Sequence, residues 1–130
     1  MINFNSKIYI AGHKGMVGSA CWKLLVEKGY QNLIGHSKEK LDLTDQLAVA
    51  NFFKKEKPEI VINAAAKVGG ILANKNFPFD FLNENLQIQT NLTNCANLYN
   101  VKKFIFLGSS CIYPKHCLQP IKEDYLLNGS

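Results

Sequence analysis

AGHKGMVGSA, residues 11–20, decides how the rest of the chain is read. Its glycines, Gly12, Gly15 and Gly18, fall at every third position. The stretch follows a short β-rich run, KIYIA at residues 7–11, and opens into an apolar pattern with helical spacing. Glycine at such a turn reaches positive φ and lets the backbone approach a ligand closely. The helix start behind it offers free N–H groups and the positive end of a dipole, which suits a phosphate or pyrophosphate. Lys14 adds a mobile positive charge. The plain alternative is a tight turn with glycines for packing; the strand–loop–helix context near the N-terminus counts against it.

Outward from this loop, apolar runs alternate with helical patterns. Residues 16–29 read as a helix with Val17, Ala20, Cys21, Leu24 and Leu25 on its inner face and Gly29 as its stop. NLIG at 32–35 is a brief second strand. A helix is expected over 45–55, with Thr44 as its N-cap and Leu47, Ala48 and Phe52 apolar. EIVINAA at 59–65 reads as a buried strand, 78–99 as mostly helical with a break near Asn83, and KFIFL at 103–107 as a last buried strand. The order β-α-β-α-β-α-β predicts an α/β fold, a Rossmann-like doubly wound parallel sheet with helices on both faces, in one domain over 1–130. Such sheets bind ligands beyond the carboxyl ends of their strands. Four loops lie there: residues 12–18, 36–42, 64–70 and 108–114.

Composition narrows the function classes. The chain has 130 residues and is 47% hydrophobic. No apolar run approaches the ~20 residues that span a bilayer, and MINFNSKIYI lacks the pattern of a signal peptide. A cytoplasmic protein that binds no membrane is expected. The formal charge is +5, and every basic residue outside histidine is Lys, none Arg. Lysines that are scattered, apart from KKEK at 54–57, do not make the dense stripe of a nucleic-acid binder. The four cysteines form no Cys-x-x-Cys pair, so neither a zinc knuckle nor another metal site is expected.

The Gly-x-x-Gly-x-x-Gly spacing resembles that of the short-chain dehydrogenase/reductase superfamily in its extended branch. The resemblance implies cofactor contacts from Gly12, His13, Lys14, Gly15, Met16, Val17 and Gly18. NAD-binding folds usually carry an acid at the end of the second strand, to hold the ribose 2′-OH. Here the strand runs into His36, Ser37 and Lys38. Ser37 and Lys38 suit a 2′-phosphate, so NADP(H) is favoured over NAD(H). The alternative is a solvated Lys38. Asp42, between Leu41 and Leu43, falls where extended members set an acid against the adenine amino group. Ala64, Ala65 and Ala66 leave a flat surface for a cofactor to lie on, or simply pack against a helix. Lys67, Gly69 and Gly70 shape a candidate substrate loop. Asn85 falls where superfamily members hold the following loop by hydrogen bonds; a plain solvent-facing Asn is the alternative.

GSSCIYP, residues 108–114, ends the last strand in two hydroxyls, a thiol and a tyrosine. The superfamily places a Ser or Thr here to hydrogen-bond the substrate carbonyl. It works with a Tyr-x-x-x-Lys pair from a later helix. Ser-x-x-x-Tyr matches Ser109 and Tyr113; Leu107, Gly108 and Ser110 then lie near the cofactor. Cys111 is a thiol of tunable pKa, apt for proton exchange next to a ketone, although a lone Cys is more often a small buried hydrophobe.

AGHKGMVGSA, NAAAKVGGI and FLGSSCIYPK together resemble the GDP-L-fucose synthases, over residues 7–130. The resemblance implies an NADPH-dependent 3,5-epimerase/4-reductase acting on a GDP-linked 4-keto-6-deoxy sugar, dimeric through helices of this half. Ser109 would orient the keto group and Cys111 would be the epimerisation base. Members often carry Arg where this chain has Lys14 and Lys38. The implied Tyr-x-x-x-Lys helix is not identified anywhere in the 130 residues, nor is an epimerisation His or a sugar-binding domain. The expectation is the N-terminal part of a longer enzyme, inactive by itself. Two other readings stay open: a related reductase acting on another GDP-linked keto sugar, such as a deoxyheptose, and a non-catalytic nucleotide-binding protein.

Overall fold

The computed structural model describes residues 1–67, 71–109 and 112–128. Its strands are β1 (Ile8–Ala11), β2 (Leu33–Ile34), β3 (Ile60–Asn63) and β4 (Lys103–Phe106). All pair in parallel, in the order β2-β1-β3-β4. The helices are α1 (Met16–Glu27), α2 (Gln46–Glu56), the short α3 (Ile71–Asn76) and α4 (Pro78–Leu98). The expected Rossmann-like α/β fold is present.

Handedness explains the layers. The β1→β2 crossover runs one way along the sheet; the β2→β3 and β3→β4 crossovers run the other. Right-handed connections therefore put α1 on one face and α2 with α4 on the opposite face. The alternating side chains agree. Ile8, Ile10, Ile60 and Ile62 form one core with Trp22 and Leu25 of α1. Tyr9, Ala11 and Val61 form the other with Val49, Phe52 and Phe53 of α2 and Leu92, Cys95 and Ala96 of α4. β1 and β3 are buried along their full length, as strands covered on both faces should be. Burial pushes the Tyr9 hydroxyl well above the usual phenol range.

Several expectations need correction. Val17, Ala20 and Leu24 of α1 are exposed; Gly18 is the buried residue, and it turns Trp22 and Leu25 toward the sheet. Asp45, not Thr44, caps α2, its carboxylate accepting from Ala48 N at 3.0 Å. Leu47 is 70% exposed because α4 packs against the Val49/Phe53 side of α2. The helix expected to break near Asn83 runs unbroken from Pro78 to Leu98. Gln87 Nε2 donates to Asn83 Oδ1 at 3.1 Å, so the Asn83 amide bonds one turn along the helix instead of competing for backbone. β4 is not a buried strand: Lys103 and Phe106 are exposed, and among the described residues its free edge has no partner strand.

Candidate functional site

The opposed crossovers leave a crevice beyond the carboxyl ends of β1 and β3, where open parallel sheets hold ligands. Gly12 turns the chain out of β1 with φ +76°. A Cβ there would lie 2.6 Å from Ala64 O and 2.9 Å from Ala65 Cα, so only glycine lets the two strand ends meet. Ala64 N donates to Ala11 O at 3.0 Å, and Asn63 Oδ1 accepts from Ala65 N at 3.1 Å, turning the second strand end away from the first. Gly15 precedes α1 without a side-chain cap, and the first turn of α1 carries no acid. Its leading N–H groups therefore meet no anion from the helix's own first turn.

Around this point lies a hollow of about 360 Å³. Gly12 and Gly15 form its base, residues 41–44 and 64–67 its walls, His36 and Lys38 one end, and Glu84 and Ile88 of α4 its back. The 64–67 wall is clamped to α4. Asn85 Oδ1 accepts from Lys67 N at 2.6 Å, and Asn85 Nδ2 donates to Lys67 O at 3.1 Å. Lys67 Nζ also pairs with Glu84 at 3.0 Å and stands 5.4 Å from the Phe81 ring centroid. Both ends of that pair are about one-third exposed, so it adds at most about 1 kcal/mol. In the opposite wall, Asp42 Oδ1 accepts from Thr44 N at 3.0 Å and from Thr44 Oγ1 at 2.8 Å. These bonds hold the Asp42 carboxyl below the usual range.

A second hollow, about 300 Å³, opens beside the first between the glycine loop and the end of β2. Gly12, His13, Lys14, Gly15, His36, Ser37, Lys38 and Glu39 line it. His13 packs beside Trp22, ring centroids 5.6 Å apart, and against Gly35, where any side chain would strike the imidazole. Glu39 stays ionised below the ordinary carboxylate range, first through hydrogen bonds from its own backbone and Ser37. Burial, then Lys40, lowers the His36 pKa. Its Nδ1 is the one buried side-chain nitrogen or oxygen without a partner among the described residues. A third hollow, about 180 Å³, continues along Ala64, Ala65 and Ala66 past Val17, Asn63, Asn85 and Gln89 to Phe106 and Leu107 at the end of β4.

The three hollows thus bring together Gly12, His13, Lys14, Gly15, Val17, Lys38, Leu41, Asp42, Leu43, the three alanines and Leu107. Met16 projects outward, 89% exposed, and Gly18 lies buried under the loop against Gly12. Gly108 and Ser109 are exposed just beyond β4, and Ser109 O accepts from Ile112 N at 3.4 Å. Ser110, Cys111, Gly69 and Gly70 lie outside the described residues. A Tyr-x-x-x-Lys spacing does occur upstream, from Tyr99 to Lys103. Tyr99 packs against Phe53, and Lys103 opens β4 at the opposite end of the sheet, so that spacing is not the catalytic pair. Sequence reasoning missed Thr44, Asn63, Glu84, Ile88, Gln89 and Phe106 as lining residues. Ile88 had a usable signal: it sits four residues before Leu92, on the inner side of α4.

The model of the NAD dependent epimerase/dehydratase family matches residues 8–130. GDP-L-fucose synthase 1 of Arabidopsis thaliana is 54% identical over 130 residues, covering 100% of this chain and 40% of that protein. GDP-L-fucose synthase of Escherichia coli is 46% identical over 124 residues, covering 95% of this chain and 39% of that protein. Among solved structures, the GDP-mannoheptose C4 reductase of Campylobacter jejuni with NADP bound superposes with a TM-score of 0.92 at 46% identity. That match covers 100% of this chain and 38% of the reductase. The chain therefore spans about 40% of the length of the curated relatives it matches.

Proposed function

The chain belongs to the NAD dependent epimerase/dehydratase family, and from that premise we propose that it binds NADP(H) across the three hollows and serves conversion of GDP-4-keto-6-deoxy-mannose to GDP-L-fucose. The observation that carries the reading is the backbone at the switch point. Gly12 is stripped of Cβ where two strand ends meet, beside a helix start with neither a side-chain cap nor an acid. Those features fit a pyrophosphate. Lys14 and Lys38, with His36 between the two larger hollows, supply the positive charge a 2′-phosphate needs; Glu39, on the smaller of the two, is the one acid beside them. Asp42, Leu41, Leu43 and the three alanines are left to enclose the adenosine.

Bound NADPH supplies hydride to the keto carbon of the sugar. In this reading Ser109 hydrogen-bonds the keto oxygen and holds it toward the third hollow. Cys111 takes and returns the protons next to that ketone. A heptose is the second reading for the substrate. It is favoured by the match to the GDP-mannoheptose reductase, equal in identity to that with the bacterial fucose synthase. We extend the proposal to a cytoplasmic homodimer joined through α4, which exposes Phe79, Leu82 and Leu86.

Titration with NADPH and NADH, followed by nicotinamide fluorescence, tests the cofactor reading. Saturable NADPH binding is expected, with NADH weaker and the difference shrinking in Lys38→Ala. Absence of binding by either cofactor refutes it.

A further inference from the structure

We propose that Asn91 is a positioning residue of the cofactor site, and that α4 sets the gap between the site's two walls. The inference rests on the NADP(H) reading. Asn91 is buried on α4 beside Leu92, Cys95 and Ala96. Its Nδ2 donates to Leu43 O at 2.9 Å, across 48 positions of sequence. Leu43 belongs to the 41–44 wall, every residue of which lines the main hollow. Asn91 is absent from that lining: it grips the wall from behind.

The turn has internal bonds of its own. Leu41 N donates to Ser37 O at 2.9 Å, Asp45 N donates to Asp42 O at 3.1 Å, and Thr44 bonds the Asp42 carboxylate. These fix its shape but not its distance from the facing wall. That wall, 64–67, is held by Asn85 of the same helix. The two asparagines stand six positions apart, a rise of ~9 Å along a helix. Ile88 lies between them in sequence and lines the hollow. One rigid helix thus ties both walls through side-chain amides.

Burial of an amide opposes folding unless it is hydrogen-bonded. A leucine at position 91 would pack among Leu92 and Cys95 but leave the Leu43 carbonyl without its donor. The amide is therefore matched to holding the wall, beyond filling the core.

The test uses Asn91→Asp, which keeps the shape and sets an acceptor against the Leu43 carbonyl, and Asn91→Ala as a second variant should the first not fold. Asp45→Ala serves as a control: it removes the α2 cap while leaving the Asn91–Leu43 bond. Calorimetric titration with NADP+ and with 2′,5′-ADP reads the site. Amide exchange of residues 42–45 in the ligand-free chain reads the wall. The expected result is an about tenfold loss of affinity for both probes by the Asn91 variants, with faster exchange at 42–45, and unchanged affinity in Asp45→Ala. Asn91 variants that melt lower yet bind like the parent, or lose no more affinity than Asp45→Ala, overturn the positioning role. A parent chain that binds neither probe overturns the NADP(H) reading itself, and this inference with it.

Discussion

Replacing Gly18 by alanine sets two effects of opposite sign against each other. In a helix interior alanine is better than glycine by about 1 kcal/mol, an upper bound for Gly18 in the first turn of α1. For a chain of 130 residues the unfolding entropy is about 0.27 kcal/mol per degree, so propensity alone would raise the melting temperature by about 4 °C. The new Cβ, however, would sit on the Gly12 carbonyl, 2.7 Å from its carbon and 3.0 Å from His13 Cα. Ordinary contacts between carbons are about 3.5–4.0 Å, so α1 must retreat by roughly 1 Å. All these neighbours are backbone, and no side chain can swing aside. Overpacking of this kind costs about 1–3 kcal/mol, and retreat also loosens Trp22 and Leu25 on Ile8, Ile10, Ile60 and Ile62. The net expectation is a loss of about 1 kcal/mol, a melting temperature lower by about 4 °C, and weaker NADP+ binding as the glycine loop is displaced. Circular-dichroism melting and NADP+ titration measure both. A variant that melts above the parent would show that the close approach of α1 to the loop is not as described.

Loss of the α2 cap in Asp45→Ala should remove about 1 kcal/mol and lower melting by about 4 °C, which the same melts would detect. Asn85→Ala leaves the Lys67 N–H and carbonyl without their clamp; NADP+ affinity should fall severalfold by calorimetry, while the α2 cap variant keeps it. His36 is held below its ordinary pKa, so the unfolded chain takes up its proton first as pH falls. Its contribution to stability is complete above about 6.5 and is lost below that value; urea unfolding between pH 7.5 and 5 should show this slope, reduced in His36→Asn.

The glycine loop was legible because its spacing states a backbone requirement that no other residue meets. Its partner wall was half legible. Three alanines announced a surface without side chains, and the family resemblance set Asn85 to hold a loop by hydrogen bonds; the geometry of α4 adds that its partners are the Lys67 N–H and carbonyl. Inner faces of helices were read less well. The Val17 and Leu24 stripe of α1 is as apolar as the true one. What decides between them is Gly18, whose lack of Cβ lets that side approach the backbone of Gly12 and His13. Likewise Thr44 and Asp45 are both good caps by type. Thr44 is diverted because its hydroxyl and N–H already serve Asp42. The break expected at Asn83 failed because the competing bond of an Asn was met within the helix. β4 looked buried because composition reports apolarity, whereas exposure depends on what lies alongside.

The sheet is unevenly anchored, and the ligand site inherits that unevenness. β1 and β3 are wholly buried central strands, and the Gly12 turn and the alanine wall hang from them. The 36–39 segment hangs instead from β2, a two-residue edge strand that is only half-buried. Opening events in a folded protein range from nearly free to as costly as global unfolding, and segments with few buried contacts lie at the low end. The part of the site proposed to hold the pyrophosphate should therefore persist until the whole chain unfolds. The part proposed to read a 2′-phosphate should detach and return many times in between. Discrimination between the two nicotinamide cofactors would then fade on warming well before binding itself is lost.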